Sequence, residues 1–444
     1  MSGKKQSIAG PETAATDDRS VTDGPGHAWR ALRHRNFRLF FGGQSISLIG
    51  TWMTRIATSW LVYRLTGSAL LLGTVSFAGQ IPTFLFSPLA GVWVDRLDRR
   101  QVLIWTQTLS LVQSFALAGL TLSHHITIHW ILGLSVMQGI INAFDMPGRQ
   151  SFMIQMVEDR RDLSNAIAIN SSMVNMARLV GPSLAGMLIA VTSEGWCFLI
   201  DGISYIAVIV SLLMMRVPAA PSLRKSASTL TDLKAGWTYV SEFLPIRTIL
   251  LLFAVVSLMG MPFVVLMPVF AAKVLHGGPH TLGFLMASMG VGALMSALAL
   301  AARKSVKGLV RMIPMAAAVF GFGLIGFGLS RNFWLSMIMV MIAGAGMMQG
   351  MAGSNTVIQT IVSDDKRGRV MSYYTMAFVG MAPFGSLLAG SLAHAIGAPW
   401  TVVINGVAVL LGAAWFTIQL PAVRRDIRPI YQDLGILQPV NTPQ

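Results

Sequence analysis

The side chains best placed to do chemistry fall into one dense cluster and a few isolated intrusions. The cluster is Gly91-Val-Trp-Val-Asp95-Arg96-Leu-Asp98-Arg99-Arg100. Its arginines can grip carboxylates or lipid phosphates through paired N–H donors, Asp95 can accept hydrogen bonds at a helix terminus, and Gly91 lets helices approach. The intrusions are Arg55, Asp145, Arg178 and Asp201, each set in an apolar run. An ionisable group inside a membrane costs on the order of 2.5 to 3.5 kcal/mol on insertion scales, so each needs a partner or a function. Arg178 could face a cavity as counter-charge for an anionic cargo or a carboxylate, or complete an ion pair within the bundle. Asp201, in Phe198-Leu-Ile-Asp201-Gly-Ile-Ser204-Tyr205, could exchange protons or be a static partner to Arg55 or Arg178. Catalysis has no visible residues: there is no His-Glu-x-x-His, no Gly-x-Ser-x-Gly and no paired intramembrane aspartate. No metal or cofactor site is expected. The phosphate-cradling Gly-x-x-x-x-Gly-Lys-Ser/Thr is also missing, which leaves an ion gradient as the energy source.

The elements that must position these groups are apolar runs of bilayer-spanning length. They cover about 37–63, 70–93, 101–122, 129–148, 165–191, 196–216, 247–271, 281–302, 312–329, 333–356, 370–395 and 399–420. Of the 33 lysines and arginines, 28 fall in the N-terminal tail, alternate loops and the C-terminal tail; Arg64, Lys273 and Arg331 occupy the opposite loops. An even number of spans with this bias predicts a multi-pass protein of a bacterial-type inner membrane with both termini cytoplasmic. The 444 residues are 54% hydrophobic and 11% charged, an apolar surface that only lipid can cover, so the lipid bilayer is an expected partner. The net charge of +15 is therefore loop bias directed at anionic lipid, and nucleic-acid binding is not expected. Residues 1–30 read as a disordered cytoplasmic tail without a cleavable signal. Cys197 has no second cysteine to pair with and reads as a packed bystander.

The longest polar interval, 217–246, reads as a cytoplasmic linker with a short amphipathic helix near Leu233 to Phe243. It divides a six-helix bundle over 31–216 from a second over 247–420, leaving 421–444 as a cytoplasmic tail. The halves repeat. Gln155, Gly181, Leu184, Ala185 and Gly186 recur 204 residues later as Gln359, Gly385, Leu388, Ala389 and Gly390. Met137-Gln138-Gly139 recurs as Met348-Gln349-Gly350, and Leu72-Gly73 as Leu282-Gly283. Parallel repeats of six spans predict an all-α membrane protein of twelve transmembrane helices in two pseudo-symmetric bundles around a cavity.

With those twelve spans in view, the stretch Gly91 to Arg100 resembles the signature loop of the major facilitator superfamily, Gly-x-x-x-Asp-Arg-x-x-Arg-Arg/Lys, at every defined position. The resemblance implies that Gly91, Asp95, Arg96, Arg99 and Arg100 belong to a cytoplasmic gate. Ala177-Arg178-Leu-Val-Gly181-Pro182-Ser-Leu-Ala185-Gly186 is similar to the family's antiporter motif, with alanine in place of two glycines. It implies an efflux-type carrier whose motif here is Arg178, Gly181, Pro182 and Gly186. Small residues at that spacing also permit close helix contact, and Pro182 frees a carbonyl. Arg33 to Phe40, Gly50 to Arg55, and Asn142 to Arg149 with Leu163 to Ala166 look like the subgroup containing enterobactin and macrolide exporters. The arginine associated with proton coupling in span four of many members is replaced by Ser135.

The family places its cavity among spans one, four, seven and ten, which makes Gln44, Gln138, Asn142 and Asn355 the candidate cavity residues, and Asp201, Arg55 and Asp145 the candidate proton or charge sites. The expected function is secondary export of a small organic molecule, a siderophore, macrolide-like drug or metabolite, by alternating access against a proton gradient. Translocation of a lysolipid by the same fold is the alternative.

Overall fold

Backbone amides inside a bilayer find no water, so an apolar run satisfies them within itself as helix. The computed structural model describes residues 30–94, 96–157, 162–216, 237–303 and 305–437, and long helices carry nearly all of them. In chain order they are α1 (Arg35–Thr66), α2 (Ala69–Val94), α3 (Arg99–Leu122), α4 (Ile128–Met156), α5 (Leu163–Val191) and α6 (Glu194–Met214). The second half holds α7 (Leu244–Val274), α8 (Pro279–Ala301), α9 (Leu309–Leu329), α10 (Phe333–Ile361), α11 (Asp364–Val379, continued by Ala382–Ile396) and α12 (Ala398–Asp433). Ten of these are long and apolar enough to cross a membrane. The other two, α1 and α4, have the length, 32 and 29 residues, but Arg38, Gln44 and Arg55 in one, and Gln138, Asn142 and Asp145 in the other, dilute their hydropathy. Both pack within the first half, α1 on α5 and α6, α4 on α2 and α3.

Helix ends follow from local chemistry. Asp98 caps α3 by accepting from the amides of Arg100 (2.9 Å) and Gln101 (3.3 Å), and Asn332 caps α10 by accepting from those of Trp334 and Leu335. Gly67, at φ +60°, closes α1 in the left-handed conformation and donates to the Tyr63 carbonyl.

Several boundaries differ from those expected, mostly in favour of more helix. α4 runs eight residues past 148, through Pro147, because Phe152 and Met156 are fully buried in a small core with Phe37 and Ala166. α12 passes the expected boundary at 420 and continues through Pro421 and Pro429 to Asp433. The repeat Val423, Ile427, Tyr431 gives that extension a buried stripe one turn apart at each step. α7 is interrupted by two π turns, Val256–Gly260 and Phe270–Val274, and Ser257 in the first donates to the Phe378 carbonyl of α11. The expected N-terminal tail and most of the linker lie outside the described residues; Trp237 to Glu242, at the linker's end, is helical.

Packing divides the helices into two groups of six. α1, α3, α4, α5 and α6 pack on one another, with α2 on α4; in the second group α8, α9, α10 and α12 form the main contacts, with α7 on α12. Outward-facing side chains such as Trp105, Leu411 and Ile418 are more than 60% exposed, the surface a bilayer would cover. Contact between the groups is concentrated in two seams, α5 on α8 and α2 on the later segment of α11.

Candidate functional site

Both seams are made of glycine, and they match residue for residue. A Cβ added to Gly186 of α5 would lie 2.8 Å from the Pro279 carbonyl oxygen and 2.9 Å from the Gly283 Cα. One added to Gly283 of α8 would lie 2.9 Å from the Pro182 oxygen and 3.0 Å from the Gly186 Cα. In the other seam, a Cβ on Gly73 would meet the Ser386 oxygen at 2.5 Å and the Gly390 Cα at 3.0 Å, and one on Gly390 the Ala69 oxygen at 2.8 Å and the Gly73 Cα at 2.9 Å. Ala69 and Gly73 correspond to Pro279 and Gly283, 210 residues on, and Pro182 and Gly186 to Ser386 and Gly390, 204 residues on. The repeat read from sequence is thus realised as two equivalent backbone contacts that no larger residue fits.

The seams lie toward the face where α1 ends and α2 begins. On the opposite face, where α1 starts and α12 ends, the groups part. The first segment of α11, Asp364–Val379, packs on α7 and α10 of its own half, whereas the continuation Ala382–Ile396 packs on α2. Among the described residues no seam of comparable extent joins the groups on the face that carries the Arg96 to Arg100 turn.

Arg96, Leu97 and Asp98 are exposed, and Gly91 has nothing within 4 Å of where its Cβ would be, so the close approach expected there is not made. Arg100 is engaged inside its own half: Nε donates to the Leu212 carbonyl (2.7 Å) and Nη2 to that of Leu213 (2.8 Å), holding the carbonyl end of α6. Asp95 lies outside the described residues. Asp98 caps α3.

The antiporter-like motif faces two ways. Gly181 admits α1, its Cβ position being 2.5 Å from that of Trp52, while Pro182 and Gly186 meet α8. Between these contacts Arg178 reaches back toward α1, its guanidinium carbon 5.3 Å from the centre of the Trp52 ring; that of Arg55 lies 4.8 Å from the same ring.

Asp201 is almost fully buried, and the static pairing with Arg55 or Arg178 is not made. Its Oδ2 accepts from Thr54 of α1 (2.8 Å) and Ser114 of α3 (2.9 Å), and Oδ1 has no partner. Hydroxyls satisfy this carboxyl better than distant cations do because Gly50 lets α6 close on α1, a Cβ there falling 2.8 Å from Oδ1. Asp145, by contrast, is a satisfied structural group. It pairs with Arg149 one turn along α4 and accepts from Thr106 (2.9 Å) and Gln107 (2.7 Å) of α3. Among the candidate cavity residues, Gln138 donates to Ser110 of α3 (3.3 Å), joining two helices, and to Asn142 one turn along α4 (3.2 Å). Gln44 is 2% exposed and does not line open space. Asn355 accepts from the exposed Gln359 (2.8 Å) and stays accessible.

Two features escaped sequence reasoning. Thr106, Gln107, Ser110, Gln113 and Ser114 form a buried polar stripe on α3 against α4 and α6; their three-and-four spacing was a readable signal. Arg64 holds the buried Glu194 by two bonds, 2.7 and 3.1 Å, joining the ends of α1 and α6, and no pattern links those positions. Cys197 is free and buried, as expected. Among the described residues no group of three His, Cys, Asp or Glu side chains could hold a metal ion.

Comparison with known proteins agrees with this architecture. Residues 26–433 match the family model described as "Transmembrane secretion effector". The Staphyloferrin A transporter of Staphylococcus aureus is 28% identical over 376 residues, 84% of this chain and 93% of that protein. The multidrug efflux pump Tap of Mycolicibacterium fortuitum is 27% identical over 82% of this chain and 90% of its own length. Macrolide efflux protein A of Streptococcus pyogenes is 21% identical over 85% and 95%. Among solved structures, a bacterial homologue of the human lysosomal transporter Spinster, inward-facing and occupied, superposes with a TM-score of 0.68 at 14% identity, covering 90% of this chain and 98% of that one. A POT family transporter gives 0.69 at 12% identity, with 88% and 96% covered. The family model spans nearly all of the described helices, and the relatives and solved structures alike are membrane transporters: this chain belongs to the transmembrane secretion effector family of major facilitator transporters.

Proposed function

We propose that the protein exports a small organic molecule, of the siderophore, drug or metabolite kind, from the cytoplasm by alternating access and in exchange for protons. The observation that carries this reading is the splitting of α11: its later segment packs on α2 as well as on α7 and α12, its first segment on its own half, so the extensive contacts between the groups gather toward one end. Rocking about the glycine seams would close the other end and part this one. The basic face is taken as cytoplasmic by its charge, which orients the less joined end inward, and the relatives that carry drugs outward support the direction. Twelve crossings, with α1 and α4 counted as spans, bring both termini to that side. Asp201 is the proposed proton site, being the carboxyl within a span that lacks a cationic partner among the described residues.

The test compares extracellular and intracellular metabolites in cells with and without the protein, then follows the retained compound in inverted membrane vesicles. Export predicts one class of compound retained in the deletion strain, and vesicle uptake that stops when the pH gradient and potential are collapsed. An unchanged metabolite profile rules out export; uptake indifferent to the collapse rules out proton coupling.

A further inference from the structure

Arg55 and Arg178 sit on two faces of a problem that membrane energetics makes acute: two guanidiniums inside the bundle, close to one another, with no acid between them. Their carbons lie 4.8 and 5.3 Å from the centre of one indole, that of Trp52, which puts them within about 10 Å of each other, a cation–π arrangement on a shared ring. Among the described residues neither makes an ion pair, and Nε of Arg178 is buried with no hydrogen-bond partner. Burying an uncompensated guanidinium is among the most unfavourable arrangements in a membrane protein, and a second one nearby adds repulsion.

The chain offers no internal remedy. Asp201, the carboxyl nearest in the fold, is 1% exposed and turned toward Thr54 and Ser114 behind α1. The second half carries no Asp or Glu from Phe243 to Ser363 or from Lys366 to Arg425, so no rocking of the halves can bring an acid onto the pair from within the membrane. Arg55 is more than a third exposed although it lies deep among the helices, so one of the two guanidiniums is open to the space beside α1. Trp52 is held in place by the Gly181 contact between α1 and α5, so the group is a built feature rather than a chance approach.

We infer that Arg55, Trp52 and Arg178 form the cargo-recognition site, and that the cargo is an organic anion bearing at least two oxyanion groups, carboxylate or phosphate, one for each guanidinium. Each planar fork presents several N–H donors matched to either oxyanion, and the indole between them offers a face to the cargo's carbon skeleton. The neutral and cationic compounds carried by many efflux pumps would leave both charges unanswered. The inference rests on the transport reading above and assigns its substrate class.

The test uses the full-length protein in lipid nanodiscs, and thermal unfolding as the readout. The probes are citrate, fructose 1,6-bisphosphate, triethyl citrate as the uncharged counterpart of the first, and tetraphenylphosphonium as an organic cation. Protection by citrate identifies the carboxylate form of the site and protection by the bisphosphate the phosphate form. Arg55→Gln and Arg178→Gln should each weaken that protection by at least about tenfold, the loss expected for a charge-assisted pair. Arg55→Lys and Arg178→Lys should retain part of it, and Gly353→Ala, a position with nothing within 4 Å of its Cβ, all of it. The lysine variants keep the charge, so a Gln variant that merely unfolds is recognised. No protection by either anion, protection by the cation or the neutral ester, or unaltered protection in both Gln variants would overturn the assignment. Anion binding without vesicle transport would leave the site standing and remove the export reading; transport unaffected by Arg178→Gln would do the reverse.

Discussion

Gly283→Ala is the perturbation that bears most directly on how the halves move. The added methyl would stand 2.9 Å from the Pro182 carbonyl oxygen and 3.0 Å from the Gly186 Cα, where carbon contacts settle at about 3.5 to 4.0 Å. The clash is with backbone on both sides, so no side chain can turn away to relieve it. α5 and α8 must separate by roughly half to one ångström, and overpacking of that kind costs about 1 to 3 kcal/mol. The cost falls only on the state in which the seam is closed, so the equilibrium should move toward the opposite state by about fivefold to 150-fold. Alanine is the better helix former by about 1 kcal/mol in either state, so the melting temperature should not drop in proportion. The assay is spin-label distance measurement between Ser123→Cys and Trp334→Cys, on the seam-bearing face, in a Cys197→Ser background. A longer-distance population should grow in Gly283→Ala and equally in the mirror variant Gly73→Ala. Gly353→Ala, where nothing lies within 4 Å, serves as control. Unchanged distances in both seam variants, or a shift in one alone, would refute the argument that two equivalent seams hold this face shut.

Other expectations concern the ties within each half. Arg100→Met should lose two bonds to the carbonyl end of α6 and lower stability by about 1 to 3 kcal/mol, read as a fall in the unfolding temperature. Arg64→Met leaves Glu194, 2% exposed, without its cation and should cost about 3 to 5 kcal/mol on the scale for broken buried pairs, less what the exposed arginine forfeits to solvent; the double change with Glu194→Gln should recover part of it. Asp201→Asn should preserve folding, because the amide can keep the Thr54 and Ser114 contacts, while abolishing vesicle transport driven by a proton gradient; full gradient-driven transport in that variant would remove Asp201 from the coupling.

Much of the fold was legible because lipid imposes simple rules. Span-length apolar runs became helices, and the recurrence of Leu72-Gly73 as Leu282-Gly283 and of Gly186 as Gly390 pointed to the residues that form the seams. The helix ends were less legible. The spans expected to end at 148 and 420 continue as helix, because Phe152, Met156, Val423 and Ile427 found buried places beyond those ends, which is tertiary information. The site divided in the same way. Reading Arg178 as a charge in need of a partner or a function rested only on the high cost of a charge in a span, but the failure of Asp201 to pair with it depended on Gly50 drawing α6 onto α1. Asp145 found its partner four residues away in Arg149, a helical spacing that was open to view. The family motif marked the turn from Gly91 to Arg100 but could not indicate that Arg100 is engaged with the carbonyl end of α6 in its own half.

The most direct test of the account is to measure both ends of the molecule at once: spin-label distances between Leu97→Cys and Ser363→Cys on the open face, and between Ser123→Cys and Trp334→Cys on the seam face, in nanodiscs at two pH values bracketing the working range. Alternating access predicts opposite changes, the first distance shortening as the second lengthens within the same population shift. Distances that move together, or an open face that never closes while transport proceeds, would contradict it.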